Sequence, residues 1–558
     1  MRRARRSLAV FLFILSAGGC LNARPSGDTT VPDPRGVTPF IVDTIIVSTA
    51  DLYQGIHRTW VVSDVLEFFH VITKERPIRH ELHVRTGDTV WRADLDDIEQ
   101  NLRQLGIFAE IDLHVERTDS AELGEGEIPH GRLYIRTRDA ISLRGGASYT
   151  QSSDSRNYFL GLTEYNLFGL AKQFGASLYY TTQDNLGLTY SAAYYNPNIL
   201  GTHAYVSAAV GLSDRQHSYE FVAGRSYFSD RTPNAGSLFA YRFTGDALYY
   251  FHTPTGAITQ VDDIRQTLLK GWYSGARNTN GSVFTMSAAL FYDRTQHNNV
   301  QGLHRAFENS VGVFVGIGSR KRTFTEIQDA DFQGVEQVPL GGMGSVSIGK
   351  ISPHNGGLDN VFYIGADARQ AVSIGDFYGF ASVAAGSGLS GQTTSFVTQN
   401  ASVGAALLTH PGAFAMRLDE SVVWNWQRYL YLPLDNLNGL RGYPRLENFG
   451  DNRAVLNIEY RLVPIIRFIV FDIGAAAFYD IGGTWRQSQQ LSQVQFHSGA
   501  GIGIRVANAD AKIAKGLFRV DLAYNFEQKK FAQIIIGTQE AFSFFDTFEF
   551  RPPGPYTY

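Results

Sequence analysis

From Ile141 to Phe545 apolar and polar residues alternate, and no stretch there carries a sustained repeat of three or four. In His203 to Leu212 one face holds Tyr205, Ser207, Ala209 and Gly211, and the other holds Ala204, Val206, Ala208, Val210 and Leu212. In Leu517 to Tyr524, Phe518, Val520, Leu522 and Tyr524 alternate with Arg519, Asp521 and Ala523. This period of two predicts strands. They recur every 15 to 25 residues, separated by Gly, Asn, Asp and Pro. The candidate segments are 142–151, 157–165, 172–181, 186–195, 203–212, 218–227, 237–248, 266–276 and 282–293, then about six more to Trp426. After these come 453–462, 467–479, 495–507, 517–525 and 531–545. A soluble sandwich alternates too, but Arg519, Asp521, Gln173, Ser177 and Thr189 are too polar for its core, and a count near 20 exceeds its size. A transmembrane antiparallel β-barrel, apolar toward lipid and polar toward a wet lumen, accommodates both. Closure follows, because an open edge in hydrocarbon leaves backbone groups unpaired at several kcal/mol each. Tyr179, Tyr180, Tyr194, Tyr195, Tyr249, Tyr250 and Phe251 lie near segment ends, where aromatic girdles are expected.

Residues 39 to 140 have another texture. Phe40 to Thr49 reads as a strand, and Ser63 caps a helix with Val65, Leu66, Phe69 and Ile72 on one face. Arg92 to Leu105 is the clearest helix, with Leu95, Ile98, Leu102 and Leu105 at spacings of three and four. Its acidic residues Asp94, Asp96, Asp97 and Glu99 sit toward the positive N-terminal end, and Gly106 stops it. Strands at Ile111 to Glu116 and Arg132 to Arg138 flank an acidic, glycine-bearing tip at 119–131. The order β-α-α-β-β suffices for two helices on a small sheet, whose edge strand suits strand addition by another chain.

Composition agrees with a barrel. Charged residues are only 18%, Gly numbers 56, and no run of twenty apolar residues follows the leader. Four arginines in Met1 to Arg6, the apolar Leu8 to Leu15 and the small residues Ser16 to Gly19 form an export signal over residues 1–23. Without residues 1–20 and their four arginines the net charge of −4 becomes −8, which gives no global case for nucleic-acid binding. Cys20 is the only cysteine, so no internal disulfide exists. Its place after Ala17-Gly18-Gly19 resembles a lipoprotein signal, which makes Cys20 a lipidation candidate; cleavage after Ala23 removes it instead. Residues 24–38, with Pro25, Pro32, Pro34 and Gly36, form a flexible lead-in.

The head's element order, with Gly87-Asp88 before its second helix and Leu105-Gly106-Ile107-Phe108 after it, resembles the POTRA domain of BamA-like and TamA-like outer-membrane assembly proteins. A single such unit is present, whereas general assembly members carry several. Leu440-Arg441-Gly442-Tyr443 resembles the signature of the sixth extracellular loop in the same Omp85 superfamily, whose barrel is that of the bacterial surface antigens. Asn457-Ile458-Glu459-Tyr460-Arg461 and Phe478-Tyr479-Asp480-Ile481-Gly482 resemble its next two barrel motifs. The resemblance implies a barrel of 16 strands, against up to 20 from the segment count, with a periplasmic α+β head in the bacterial outer membrane. It also implies a loop tucked into the lumen, with Arg441 held by Asp480 or, second, Glu459. Gly442 permits a tight turn there, and a guanidinium pairs with a carboxylate through two parallel hydrogen bonds. An exposed pair contributes about 0–1 kcal/mol, whereas breaking a buried one costs about 3–5 kcal/mol. Ile534, Ile536, Phe542, Phe544 and Phe545 suggest the closing strand, after which residues 546–558 form a tail. Pro552-Pro553 bars that tail from extending the sheet, so it either folds into the periplasmic mouth or stays disordered. By resemblance the seam between first and last strands is a template for clients, and Gly145 and Gly146 soften it.

Enzyme readings find no support. His497-Ser498 and the group His70, Asp64 and Ser63 lack the spacing of a triad. The 14 histidines show no metal-ligand spacing, and Leu340 to Ser345 lacks the Lys-Ser/Thr end of a phosphate loop. Neither cofactor nor metal is expected. The expected work is nucleotide-independent insertion or translocation of unfolded or exported polypeptide clients. Expected partners are outer-membrane lipid and lipopolysaccharide, with periplasmic chaperones or accessory lipoproteins. The alternatives are a porin-like or dedicated secretion pore gated by the 427–452 loop, and a structural surface antigen without a client.

Overall fold

The computed structural model describes residues 39–50, 71–119, 127–151, 156–182, 187–250, 258–279, 281–297, 308–328, 335–354, 359–391, 393–425, 432–436, 438–443, 448–468, 471–508, 517–537, 540–545 and 548–555. The leader with Cys20, the lead-in, the helix expected from Ser63 as far as residue 70, and most of the acidic tip lie outside the described residues.

The head comprises β1 (Phe40–Ala50), α1 (Glu75–Glu81), β2 (Thr89–Val90), α2 (Arg92–Gln104), β3 (Phe108–Arg117) and β4 (His130–Asp139). Its sheet has the order β2-β1-β4-β3, with β1 parallel to β4. The apolar stripe of α2 explains the packing: Leu95, Ile98 and Leu102 are fully buried against Phe40, Val42, Leu133 and Ile135 of the sheet. Asp94 ends that stripe by accepting the Trp91 N–H at 2.8 Å beside the helix's positive end. The short α1 is not legible in the sequence because Pro77 reads as a breaker. It lies in the first turn, where its missing N–H has no partner to lose.

The first barrel strands are β5 (Leu143–Gln151), β6 (Arg156–Glu164), β7 (Gln173–Thr181), β8 (Gly187–Asn196), β9 (Ala204–Ser213) and β10 (Gln216–Arg225). Longer ones follow: β11 (Asn234–Tyr250), β12 (Ile258–Thr279), β13 (Ser282–Gln296), β14 (Ser310–Gln328), β15 (Val335–Pro353) and β16 (Val361–Ile374). Next come β17 (Phe377–Ser390), β18 (Thr393–Thr409) and β19 (Gly412–Trp424). A loop containing the small pair β20 (Leu432–Leu434) and β21 (Asn448–Gly450) precedes β22 (Asn452–Phe468), β23 (Phe471–Trp485), β24 (Phe496–Asn508), β25 (Leu517–Asn525) and β26 (Lys530–Gly537). Among the described residues, 20 antiparallel strands close into a barrel in which β26 lies beside β5. This is the upper number the segment count gives, and it corrects the 16 strands expected by resemblance. Each of the middle segments takes its own place in the wall.

On β14, Val313 and Ile317 project outward at 57% and 62% exposure, while Phe314 between them is 2% exposed and faces inward. On β25, Phe518 faces outward and Asp521 and Ala523 are buried inside. No described helix is long and apolar enough to cross a membrane. The strands cross it. The chain is thus a membrane-spanning β-barrel with a small N-terminal α+β domain.

Three expectations need correction. The lumen is not uniformly polar: Phe314, Ile351, Val361, Tyr363, Phe396 and Val423 form an apolar cluster on its wall. Facing glycines Gly365 and Gly386 leave the hollow in which the Tyr363 ring lies, since a Cβ on either would collide with that ring. Adjacent tyrosines do not both belong to an aromatic girdle, because neighbours on a strand point to opposite faces; the Tyr249 and Tyr250 side chains and Phe251 lie outside the described residues. Tyr180 is on the outside, whereas Tyr179 points inward and donates its hydroxyl to Asn157 at 3.1 Å. Finally, the closing strand ends at Gly537 and holds Ile534 and Ile536 but not Phe542, Phe544 or Phe545. Those three leave the wall and enter the lumen, where buried aromatic partners await them.

The head docks on the turns after β6, β8 and β10. Asn166 donates to the Val71 carbonyl at 3.0 Å, Asn198 donates to Glu81 at 3.1 Å, and Arg231 pairs with Asp94 at 2.7 Å. Arg322 of β14 reaches Asp97 at 3.6 Å. Burial pushes the Glu81 carboxyl up to about 7 against the Asn198 hydrogen bond, and pushes Asp97 up to about 6 despite Arg322. A carboxyl raised on docking holds its proton more tightly in the docked state. Docking therefore strengthens as pH falls through about 7 and weakens as pH rises from the ordinary carboxylate range. Hydrogen exchange in α1, corrected for intrinsic rates, is expected to be slower at acidic than at alkaline pH, and Glu81→Gln to flatten that dependence. Faster exchange at acidic pH would contradict this reading.

Candidate functional site

The loop between β19 and β22 descends into the barrel and brings Leu440, Arg441, Gly442 and Tyr443 against the inner faces of β22 to β26. Leu440 and Tyr443 are buried with Leu434 and Val455, which fixes the loop's apolar side. Gly442 has φ +90° and lies against the Tyr524 carbonyl, a conformation L side chains rarely adopt. Its N–H donates to Gln533 and its carbonyl accepts from Asn525, both at 3.0 Å. Gln533 in turn donates to the Tyr443 carbonyl at 3.0 Å, and the Tyr443 hydroxyl donates to the Ser498 carbonyl at 3.0 Å. Two wall strands, β25 and β26, thereby read the loop's backbone, while β24 takes the Tyr443 hydroxyl.

Arg441 is 2% exposed. Its Nε and Nη2 donate to the two oxygens of Asp480 at 2.7 and 2.9 Å, and Nη1 donates to Glu459 at 2.9 Å and to Asp521 at 3.4 Å. The guanidinium also stacks on Phe478, 3.5 Å from the ring centroid. Around this centre Arg505 donates to Glu459 at 2.9 Å, to Asp521 at 2.6 Å and to Glu540 at 2.9 Å. Arg461 reaches Glu459 at 3.3 Å and Arg519 reaches Asp521 at 3.4 Å. Four guanidinium groups thus face four carboxylates, and their alternation lets so many charges share one buried volume. Asn457 completes Asp480 with a further hydrogen bond at 2.7 Å.

Among the residues singled out in the sequence, Arg441, Asp480, Glu459, Arg461 and Phe478 converge. Gly482 lies beneath Leu434 of the loop, where a side chain would crowd it. Tyr460 points to the other face, its hydroxyl 3.3 Å from Thr409. Arg505 and Glu540 were not anticipated, although Arg505 occupies an inward polar position directly across from Arg519. The described residues contain no group of His, Cys, Asp and Glu that could hold a metal, and no triad or phosphate cradle accompanies the network. Its chemistry is positional. It clamps a loop inside the lumen.

No protein-family model matches the chain, and no curated protein does. Among solved structures, CdiB from Escherichia coli is similar at 12% identity and TM-score 0.45, over 90% of this chain and 76% of that one. BamA from Haemophilus ducreyi lacking POTRA domains 1–3 gives 8% and 0.33, over 89% of this chain and 82% of that one. The FrpB iron transporter from Neisseria meningitidis gives 8% and 0.32, over 79% and 85%. At such identities and TM-scores none of these likenesses identifies a family for the chain.

Proposed function

We propose that this barrel inserts or translocates polypeptides at the bacterial outer membrane without a nucleotide, as an assembly protein of the Omp85 type with a single POTRA-like unit at 39–140. The reading is carried by the Leu440-Arg441-Gly442-Tyr443 loop, clamped in the lumen by Asp480, Glu459 and Asp521. Such a clamp holds the extracellular side of a wide barrel in one arrangement and reaches the seam strand β26 itself through Gln533. The head supplies a second element. Strand β3 ends its sheet, and its free backbone edge suits capture of an unfolded strand by pairing. Glu110, Asp112 and Glu116 along that edge resist indiscriminate pairing with other sheets. The seam itself lies between two of the shortest barrel strands, β5 with nine residues and β26 with eight, so it has few ladder bonds to exchange.

A dedicated secretion pore is the second reading, favoured by the same loop acting as a gate over 427–452. Depletion separates the two. Accumulation of many unfolded outer-membrane proteins supports assembly; loss of a single exported protein supports the secretion pore. Normal levels of both, with unchanged surface exposure of other proteins, would remove the translocation reading and leave a surface antigen without a client.

A further inference from the structure

Beyond β26 the described residues 540–545 and 548–555 lie in the barrel interior without helix or ladder pairing. They start at the charge network, where Glu540 accepts from Arg505 at 2.9 Å. Two consecutive carbonyls are then gripped from the wall: Phe542 O by Arg461 and Ser543 O by Arg417, both at 2.9 Å. Three phenylalanines beyond are seated against the wall. Phe544 is fully buried edge-on to Tyr378, with ring centroids 6.3 Å apart, and Phe548 is buried in the same cluster as Val338 and Met343. Phe550 lies 5.0 Å from Trp272 and 5.4 Å from Tyr227, on the opposite side of the barrel from Arg461. The wall is cut to admit this segment. A Cβ at Gly404 would meet the Phe544 carbonyl, and one at Gly316 would meet Pro553.

These contacts divide into two kinds. Arginine donors hold backbone carbonyls and are indifferent to the side chains passing them, whereas the Tyr378 and Trp272 niches select aromatic rings. Because no strand ladder fastens the segment, another chain with similar spacing can replace it. We propose that the lumenal wall from β22 round to β12 is a binding track for an extended, aromatic-bearing polypeptide, occupied here by the chain's own described residues 540–545 and 548–555 as an internal ligand. The proposal rests on the translocation reading only in taking a client as the competing occupant. The track itself stands or falls on binding.

Cys20 is the sole native cysteine, and the Cβ built on Gly316 lies 3.1 Å from Pro553 Cβ, near the span of a disulfide at roughly 3.5–4.5 Å. A Gly316→Cys/Pro553→Cys chain is therefore expected to cross-link under mild oxidation; no cross-link in the folded barrel would overturn the placement. Deletion of residues 538–558 is expected to raise single-channel conductance several-fold in planar bilayers. A synthetic peptide of residues 540–555 should restore the block, and the same peptide with Phe544, Phe548 and Phe550 replaced by Ser should bind at least tenfold more weakly. If the deletion does not fold, the full chain carrying those three Phe→Ser changes takes its place, and its conductance should rise likewise. Equal conductance with and without the tail, or equal binding of both peptides, would overturn the track. Peptide binding with no client defect on depletion would instead leave the track standing and remove the translocation reading.

Discussion

Arg441→Ala is expected to destabilise the barrel by about 3–5 kcal/mol, the usual cost of breaking a buried ion pair from one side. The reason is what remains. Asp480, Glu459 and Asp521 are fully buried and converge on the position the guanidinium vacates. Arg505 and Arg461 already serve Glu459 and cannot also cover Asp480. The loop should lose its anchor before the wall opens, so heat resistance of the folded form should drop and client insertion should fall with it. Arg441→Lys should restore little. A single ammonium cannot pair with both Asp480 oxygens, reach Glu459 and lie flat on Phe478 as the planar group does. Wild-type heat resistance together with wild-type insertion in Arg441→Ala would remove the role assigned to the clamp.

Arg505→Ala should cost a comparable amount, about 3–5 kcal/mol, by exposing Glu459, Asp521 and Glu540 to one another. Its distinguishing feature is coupling. Arg441 and Arg505 share Glu459 and Asp521, so the double variant should depart from the sum of the singles by roughly 0.5–3 kcal/mol in a double-mutant cycle. Arg505→Ala should also loosen the start of the tail, because Glu540 loses its 2.9 Å hydrogen bond from Arg505, and proteolysis near residue 540 should accelerate in the folded barrel. Additive effects within about 0.3–0.5 kcal/mol would show the two arginines to be independent supports and not one network.

The wall of this protein is legible residue by residue. In the Leu517 to Tyr524 segment the alternation of Phe518, Val520 and Leu522 with Arg519 and Asp521 already assigns lipid and lumen, because a strand offers only two faces and hydrocarbon accepts only one kind. The site was legible in part. Arg441, Asp480 and Glu459 stand in motifs that can be picked out by eye. Arg505 gives no such signal, since an arginine on an alternating strand looks the same whether it meets water or three carboxylates. Glu540 was hidden by a wrong boundary. The run from Ile534 to Phe545 looks like a continuous apolar strand, and only the niches around Tyr378 and Trp272 explain why its second half leaves the wall.

What the sequence determined by itself is local: most strand positions, the two faces of the alternating strands, the α2 helix and the turn at Gly442 follow from periodicity and backbone allowance. What only the tertiary structure decided is non-local: the closure at 20 strands, the burial of the Arg441 network, the docking of the head on three barrel turns and the path of the tail across the lumen. The physical reason is that closure and burial depend on which distant strands become neighbours. A charge at position 441 is exposed or buried according to residues 459, 480, 505 and 521, brought beside it only once the sheet has curved shut.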